Sequence, residues 1–163
     1  MKLTIEKVAA TWRLKEAWNK VRKKGSAGGI DGVSIEEFER RAYDNIKQLS
    51  LDLLENRYIP EPLKAFDIKK PGKNEKRNLG LPSVKDKIVQ ASLSSLLSEL
   101  YEPKFSNCSY AYRPGKGSVK AIGRVRDFLN RKNYWVCSVD IDDFFDTVNH
   151  DKTIEILCIF ENL

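Results

Sequence analysis

Residues 135–150, Trp-Val-Cys-Ser-Val-Asp-Ile-Asp-Asp-Phe-Phe-Asp-Thr-Val-Asn-His, limit the fold more than any other stretch. Trp135, Val136, Cys137 and Val139 form a β-prone run, which predicts a buried strand. Four carboxylates follow within seven positions: Asp140, Asp142, Asp143 and Asp146. Like charges this close repel, and more strongly where the dielectric is low. A strand tip carrying them beside Phe144 and Phe145 calls for a compensating cation, and a hard divalent ion such as Mg²⁺ suits carboxylate oxygens. Metal-assisted phosphoryl or nucleotidyl transfer uses such carboxylates, because two ions can clamp the attacking and leaving oxygens. The same residues also describe an acidic turn that opens the next helix. Taken alone, the stretch leaves both readings open.

Composition narrows the setting. The 163 residues are 41% hydrophobic and 32% charged, which describes a globular chain and not a disordered tail. The net charge of +6 suggests a polyanionic partner. Basic residues are dense over 64–87 and 113–132, acidic ones over 36–55 and 140–151. That asymmetry suits a phosphate-facing surface and a separate metal-facing spot. Cys108, Cys137 and Cys158 are odd in number and far apart, which argues against a disulfide framework or a zinc site and for a reducing cytoplasm. No apolar run is long enough to span a membrane, and the N-terminus lacks the apolar core of a signal peptide.

Along the chain, Thr11 to Lys24 predicts a helix with Leu14, Trp18 and Val21 on one stripe. Gly25-Ser-Ala-Gly-Gly-Ile-Asp-Gly32 breaks it. Ser34-Ile-Glu-Glu37 is a capping box for a helix that buries Phe38, Ala42, Ile46 and Leu49 and runs towards Tyr58, before Pro60 and Pro62. Residues 63–69 alternate as a half-exposed strand should, 71–76 make a turn, and Arg77–Leu81 returns as its partner, giving a basic β-hairpin. Ser83, with Asp86 three positions on, caps a helix whose apolar face is Val84, Ile88, Ala91, Leu96 and Leu100. After a loop over 105–117, Ser118 is expected to cap a fourth helix with Ile122, Val125 and Leu129 inside. The acidic strand follows, then a last helix from about His150, which reads as a cap or packing residue. The result is an α+β chain, mostly helical, with one basic hairpin and one acidic strand that has no neighbours of its own kind.

Three segments suit phosphate or nucleic acid, and each has a plainer reading. The glycine loop lacks the Gly-Lys-Ser/Thr ending of a P-loop and follows a helix, so a flexible connector explains it equally. Lys69, Lys70, Lys73, Lys76 and Arg77 can grip a triphosphate or a nucleic-acid backbone, or form a solvated hairpin tip. Tyr110-Ala-Tyr-Arg-Pro-Gly-Lys-Gly117 sets aromatics beside Arg113 and Lys116, as stacking and phosphate contact require, and packed tyrosines beside a surface arginine look the same.

Order is more specific than any one motif. A glycine loop after a helix comes first, then Arg-Asn-Leu-Gly-Leu-Pro-Ser-Val-Lys-Asp-Lys-Ile-Val-Gln. Phe-Ser-Asn-Cys-Ser-Tyr-Ala-Tyr-Arg-Pro-Gly-Lys-Gly and Val-Asp-Ile-Asp-Asp-Phe-Phe-Asp-Thr-Val-Asn-His complete the series. From about Leu14 onward the chain resembles the N-terminal half of a bacterial group II intron-type reverse transcriptase. The resemblance implies a right-hand polymerase: an N-terminal extension over 1–33, fingers over 34–132 and the start of a palm over 133–163. It implies Asp140 as the first catalytic aspartate and a Mg²⁺ ligand, with the Ile141 carbonyl as the neighbouring metal contact. Phe145 falls at the aromatic gate against a ribose 2′-hydroxyl. Lys70 and Arg77 fall at the residues that hold the incoming triphosphate, Lys69 and Lys73 being alternatives for Lys70. Arg113 lies in a fingers motif with either a structural or a template-side role, and the glycine loop falls where the family covers the template-primer. The implied partners are an RNA template, a DNA or RNA primer and deoxynucleoside triphosphates.

These 163 residues contain no Pro-Gln-Gly segment and no Tyr-Ala-Asp-Asp turn, where the family keeps its other metal-binding aspartates. The expectation is an inactive fingers-plus-palm-start piece: a truncated gene product, an excised piece, or half of a split enzyme whose C-terminal half is supplied separately. Two other readings remain. One is a non-catalytic RNA-binding module derived from such an enzyme. The other is a glycosyltransferase using Asp140-Ile-Asp142 as a DxD pair, although no nucleotide-binding βα unit precedes it.

Overall fold

The computed structural model describes residues 3–25, 27–69, 72 and 76–161, with the side chains of 76–78, 145–146 and 159–161 excepted. Contacts divide the chain into two units, Leu3–Leu100 and a second that begins at Tyr101.

The first unit is built on helices α1 (Ile5–Ala9), α2 (Thr11–Lys24), α3 (Ile35–Arg40), α4 (Ala42–Leu54) and α5 (Val84–Tyr101). The stripe of Leu14, Trp18 and Val21 on α2 is buried, as its spacing predicts. Trp18 meets Phe38 of α3 with ring centroids 4.8 Å apart. Ile46 and Leu49 of α4 and Val84 and Ile88 of α5 complete the same core. The short α1 is held by hydroxyls: Ser50 donates to the Ala9 carbonyl and Ser92 to the Val8 carbonyl, each at 2.7 Å. Those two carbonyls end a helix and lack partners within it, so the buried serines satisfy them.

Two helix boundaries differ from the sequence expectation. The helix opened by Ser34, whose Oγ accepts the Glu37 N–H at 3.1 Å, is interrupted at Arg41, with φ −130° and ψ 33°. The Asn45 side chain donates to the Phe38 carbonyl at 3.2 Å and compensates the break. Downstream, α4 stops at Leu54, short of Tyr58, because Asn56 turns left-handed at φ 56° and Arg57 and Tyr58 both donate back to the Asp52 carbonyl.

The glycine loop is docked. Gly25 ends α2 in the left-handed region at φ 59°, with its N–H on the Arg22 carbonyl. Gly29 is buried against the chain that opens α5: a Cβ there would lie 2.5 Å from Ser83 Cα and 2.6 Å from Ser83 N. Lys87 of α5 also donates to the Ala27 carbonyl. A free connector would make no such contacts.

The only sheet among the described residues is the antiparallel pair β1 (Lys64–Lys69) and β2 (Lys76–Leu81). Every residue of β1 is exposed, so the expected half-buried alternation is not realised. Among the described residues no helix packs extensively on the hairpin.

The second unit carries a 3₁₀ turn at Glu102–Lys104, then α6 (Ser118–Asn130), α7 (Phe144–Thr147) and α8 (His150–Glu161). Three expectations are corrected here. Residues 135–139 are not a strand: they pair with no segment among the described residues, and Trp135, Val136 and Val139 are exposed. A strand needs a ladder partner for its amides, and β-propensity alone supplies none. Ile122, Val125 and Leu129 of α6 are exposed, not inside, and Ser118 is the first helical residue while Gly117 occupies the cap position. His150 is exposed and does not cap; Asn149 does, its Oδ1 accepting the Lys152 N–H at 2.9 Å. No described helix is long and apolar enough to cross a membrane.

Gly29→Ala is expected to lower the unfolding free energy by about 1–3 kcal/mol, because backbone atoms of Pro82 and Ser83 must move to admit a Cβ. Gly123→Ala, in open space within α6, is the control and leaves the urea midpoint unchanged or slightly raised.

Candidate functional site

In the hairpin, Lys69 stands opposite Lys76, and Ile68 opposite Arg77. Like charges paired directly across a ladder destabilise it. Lys70 and Lys73 lie outside the described residues. Lys69 is exposed, and Lys76 and Arg77 are placed by register alone.

The hairpin's roots are fixed at α5. Asp86, 2% exposed, accepts the Tyr58 hydroxyl at 2.6 Å, the Glu61 N–H at 3.1 Å and the Ser83 hydroxyl at 2.7 Å. Ser83 Oγ accepts the Asp86 N–H at 3.2 Å, so the expected cap is present. Burial, then the Asp86 carboxylate, push the Tyr58 phenol far above its ordinary value, and it remains a donor throughout the physiological range. Lys85 pairs with Glu61 at 2.6 Å, a bond that raises the ammonium's pKa. The sequence reading missed Tyr58 and Glu61. They lie 28 and 25 positions from Asp86, and no local pattern links them to it.

In the second unit Arg113 closes its own loop. Its Nε and Nη2 donate to the Glu102 carboxylate at 2.9–3.3 Å. Nη1 reaches the Ser106 carbonyl at 2.6 Å and that of Ser109 at 2.9 Å, while Nη2 also meets the Glu102 carbonyl at 3.4 Å. Its guanidinium also lies over Phe105, 5.2 Å from the ring centroid. An arginine has five N–H donors, and all of them are engaged within residues 102–109. Of the two roles the motif left open, this geometry favours the structural one. Lys116 lies over Tyr110, 5.5 Å from the ring centroid, and Tyr112 stands fully exposed at φ 56°. The loop that Arg113 closes therefore presents an aromatic ring at Tyr112 and a cation at Lys116.

Asp140 and Ile141 line an open depression with Val139 and Phe144. Asp143, left-handed at φ 44°, precedes α7, and its carbonyl accepts the Thr147 N–H at 3.0 Å. Phe145 lies within α7. The Asp140 carboxylate and the Ile141 carbonyl are hard oxygen donors of the kind Mg²⁺ takes. They suit that ion in kind but not in number, since no three metal-ligating side chains gather among the described residues.

The family "Reverse transcriptase (RNA-dependent DNA polymerase)" matches residues 68–161, from the end of β1 through Asp140 to the end of α8. The chain belongs to the reverse transcriptase family, in its group II intron type. It is 32% identical to Protein YkfC of Escherichia coli over 127 residues, 75% of this chain and 33% of that protein. It is 29% identical to the group II intron-encoded protein LtrA of Lactococcus lactis over 115 residues, 70% of this chain and 19% of LtrA. The "Putative COX1/OXI3 intron 1 protein" of Saccharomyces cerevisiae is 28% identical over 141 residues, 86% of this chain and 16% of that protein. The chain thus spans a third or less of the length of these curated relatives.

Arg113→Lys is expected to loosen the loop while leaving the first unit intact. A single ammonium cannot span two carbonyls and a carboxylate together. Amide exchange over residues 106–113 should rise about tenfold, the equivalent of one lost charge-assisted bond, and mass spectrometry reads this directly.

Proposed function

We propose that these residues are the fingers and the beginning of the palm of an RNA-directed DNA polymerase, divided as 1–33 extension, 34–132 fingers and 133–163 palm. That functional division differs from the packing division at Leu100. The reaction is attack of a primer 3′-oxygen on the α-phosphorus of a deoxynucleoside triphosphate, with pyrophosphate as leaving group and an RNA template selecting the base. The observation that carries this reading is the family match over 68–161, which takes in the paired cationic end of the hairpin and the Asp140 stretch together.

In this proposal Lys70 and Arg77 hold the triphosphate, with Lys69 or Lys73 able to replace Lys70. Lys76 and Lys116 contact nucleic-acid backbone, and Arg113 serves it by ordering the loop that carries Lys116. Phe145 excludes a ribose 2′-hydroxyl by bulk. Asp140 and the Ile141 carbonyl would hold Mg²⁺, whose role when bound is to neutralise charge on the reacting phosphate. One carboxylate does not complete such a site, so the 163 residues alone are proposed to bind nucleic acid without polymerising.

A non-catalytic RNA-binding role is the second reading, favoured by the absence of a three-ligand cluster among the described residues. Supplying in trans a family palm segment that carries the Tyr-Ala-Asp-Asp turn separates the two: templated extension that Asp140→Ala abolishes supports the polymerase, and no extension supports the binding module.

RNA affinity of the 163-residue protein should fall about 10- to 100-fold between roughly 50 and 200 mM salt, as release of about two to four counterions requires. Lys69→Ala with Arg77→Ala should weaken binding and flatten that slope, whereas Asp140→Ala should leave both unchanged. Fluorescence anisotropy across a salt series decides it, and a salt-independent affinity counts against the proposal. Templated extension by the 163-residue protein alone would overturn the stated inactivity.

A further inference from the structure

Every residue of β1 is exposed, and among the described residues no helix packs extensively on the hairpin. A lone pair of strands is marginal in water, so its direction must be set where it is rooted. Both roots meet at one carboxylate. On the incoming side, Tyr58 and Glu61 precede β1 and donate to Asp86 at 2.6 and 3.1 Å. On the outgoing side, Ser83 follows β2 and donates to it at 2.7 Å. The Lys85–Glu61 pair at 2.6 Å fastens the incoming side a second time. Asp86 sits in the first turn of α5, where the helix dipole favours a negative charge.

Leverage makes the root matter. Each strand has six residues, and at about 3.3 Å per residue the far end lies about 20 Å from the root. A pivot of about 10° there displaces the cationic end by about 3.5 Å, beyond the tolerance of a hydrogen bond to phosphate.

We infer that Asp86 is a positioning residue: by holding both roots of the hairpin it sets where the hairpin's cations stand, and it does so through Tyr58, Glu61 and Ser83 without touching the ligand. The inference rests on the phosphate-binding reading of the hairpin given above.

The test uses the whole 163-residue chain with Tyr58→Phe, which removes one hydroxyl and keeps the ring, and Asp86→Asn, which replaces a carboxylate oxygen by a donor. Three quantities are read: amide exchange by mass spectrometry, thermal midpoint, and anisotropy with a labelled RNA–DNA duplex. Exchange over 64–69 and 76–81 is expected to rise several-fold in both variants while α2 and α4 stay protected. Duplex affinity should fall about three- to tenfold in Tyr58→Phe and further in Asp86→Asn. Lys69→Ala should cost less in the Tyr58→Phe background than alone, because a misplaced cation contributes less.

Unchanged hairpin exchange in Tyr58→Phe overturns the inference. So does a rise shared equally by α2 and α4, which marks general destabilisation. If Asp86→Asn fails to fold, Tyr58→Phe decides alone. If Lys69→Ala and Arg77→Ala leave duplex binding unchanged, the phosphate reading fails, and the exchange pattern still decides whether Asp86 fixes the hairpin.

Discussion

A buried carboxylate at the start of α5 joins three separate segments of the first unit. Asp86 accepts from the segment before the hairpin and the residue after it, while Gly29 packs on the backbone of that same residue, Ser83. The glycine loop, the hairpin roots and the helix start therefore share a single turn of chain. Asp86 is tolerated there because each carboxylate oxygen has a donor and the helix N-terminus favours its charge.

The same device recurs with the sign reversed. Arg13 is buried on α2 and sends two parallel bonds to Glu99 at 2.7 and 3.2 Å, joining helices whose residues lie 86 positions apart. The pairing holds the Glu99 carboxyl below its ordinary range, so its contribution is complete above that range and is lost as pH falls through the lowered value. Arg113 closes the loop after α5 in the same manner on Glu102. In each pair the arginine side chain is the less exposed partner, at 6% and 7%, while the carboxylate keeps partial access to water, an arrangement that limits the desolvation cost of an ion pair.

The second unit has a different character. None of its described residues is buried, and α6 and residues 135–141 expose Val119, Ile122, Trp135, Val139 and Ile141. Local order there comes from helix propensity, caps and the Arg113 closure, not from a core. The Asp140 stretch accordingly lines an open depression, and among the described residues no group of three metal-ligating side chains gathers there.

Features that depend on neighbours a few positions away are legible in the residues alone. The extent of α2, the Ser34 and Ser83 caps, the hairpin and the start of α8 follow from periodicity and side-chain chemistry within one or two turns. The ordered motifs that mark a reverse transcriptase are also local strings. Tertiary structure alone decided the rest. Trp135–Val139 has strand composition, but a strand exists only when another chain segment meets its amides. The motif around Arg113 does not say where its donors go; the fold sends them to the carbonyls of Ser106 and Ser109 and the carboxylate of Glu102. Asp86 read as half of a cap, and its bonds to Tyr58 and Glu61 form only when the chain returns to it from 28 and 25 positions away. Composition cannot encode such meetings one residue at a time, because burial and hydrogen bonding across that separation belong to the packed chain as a whole.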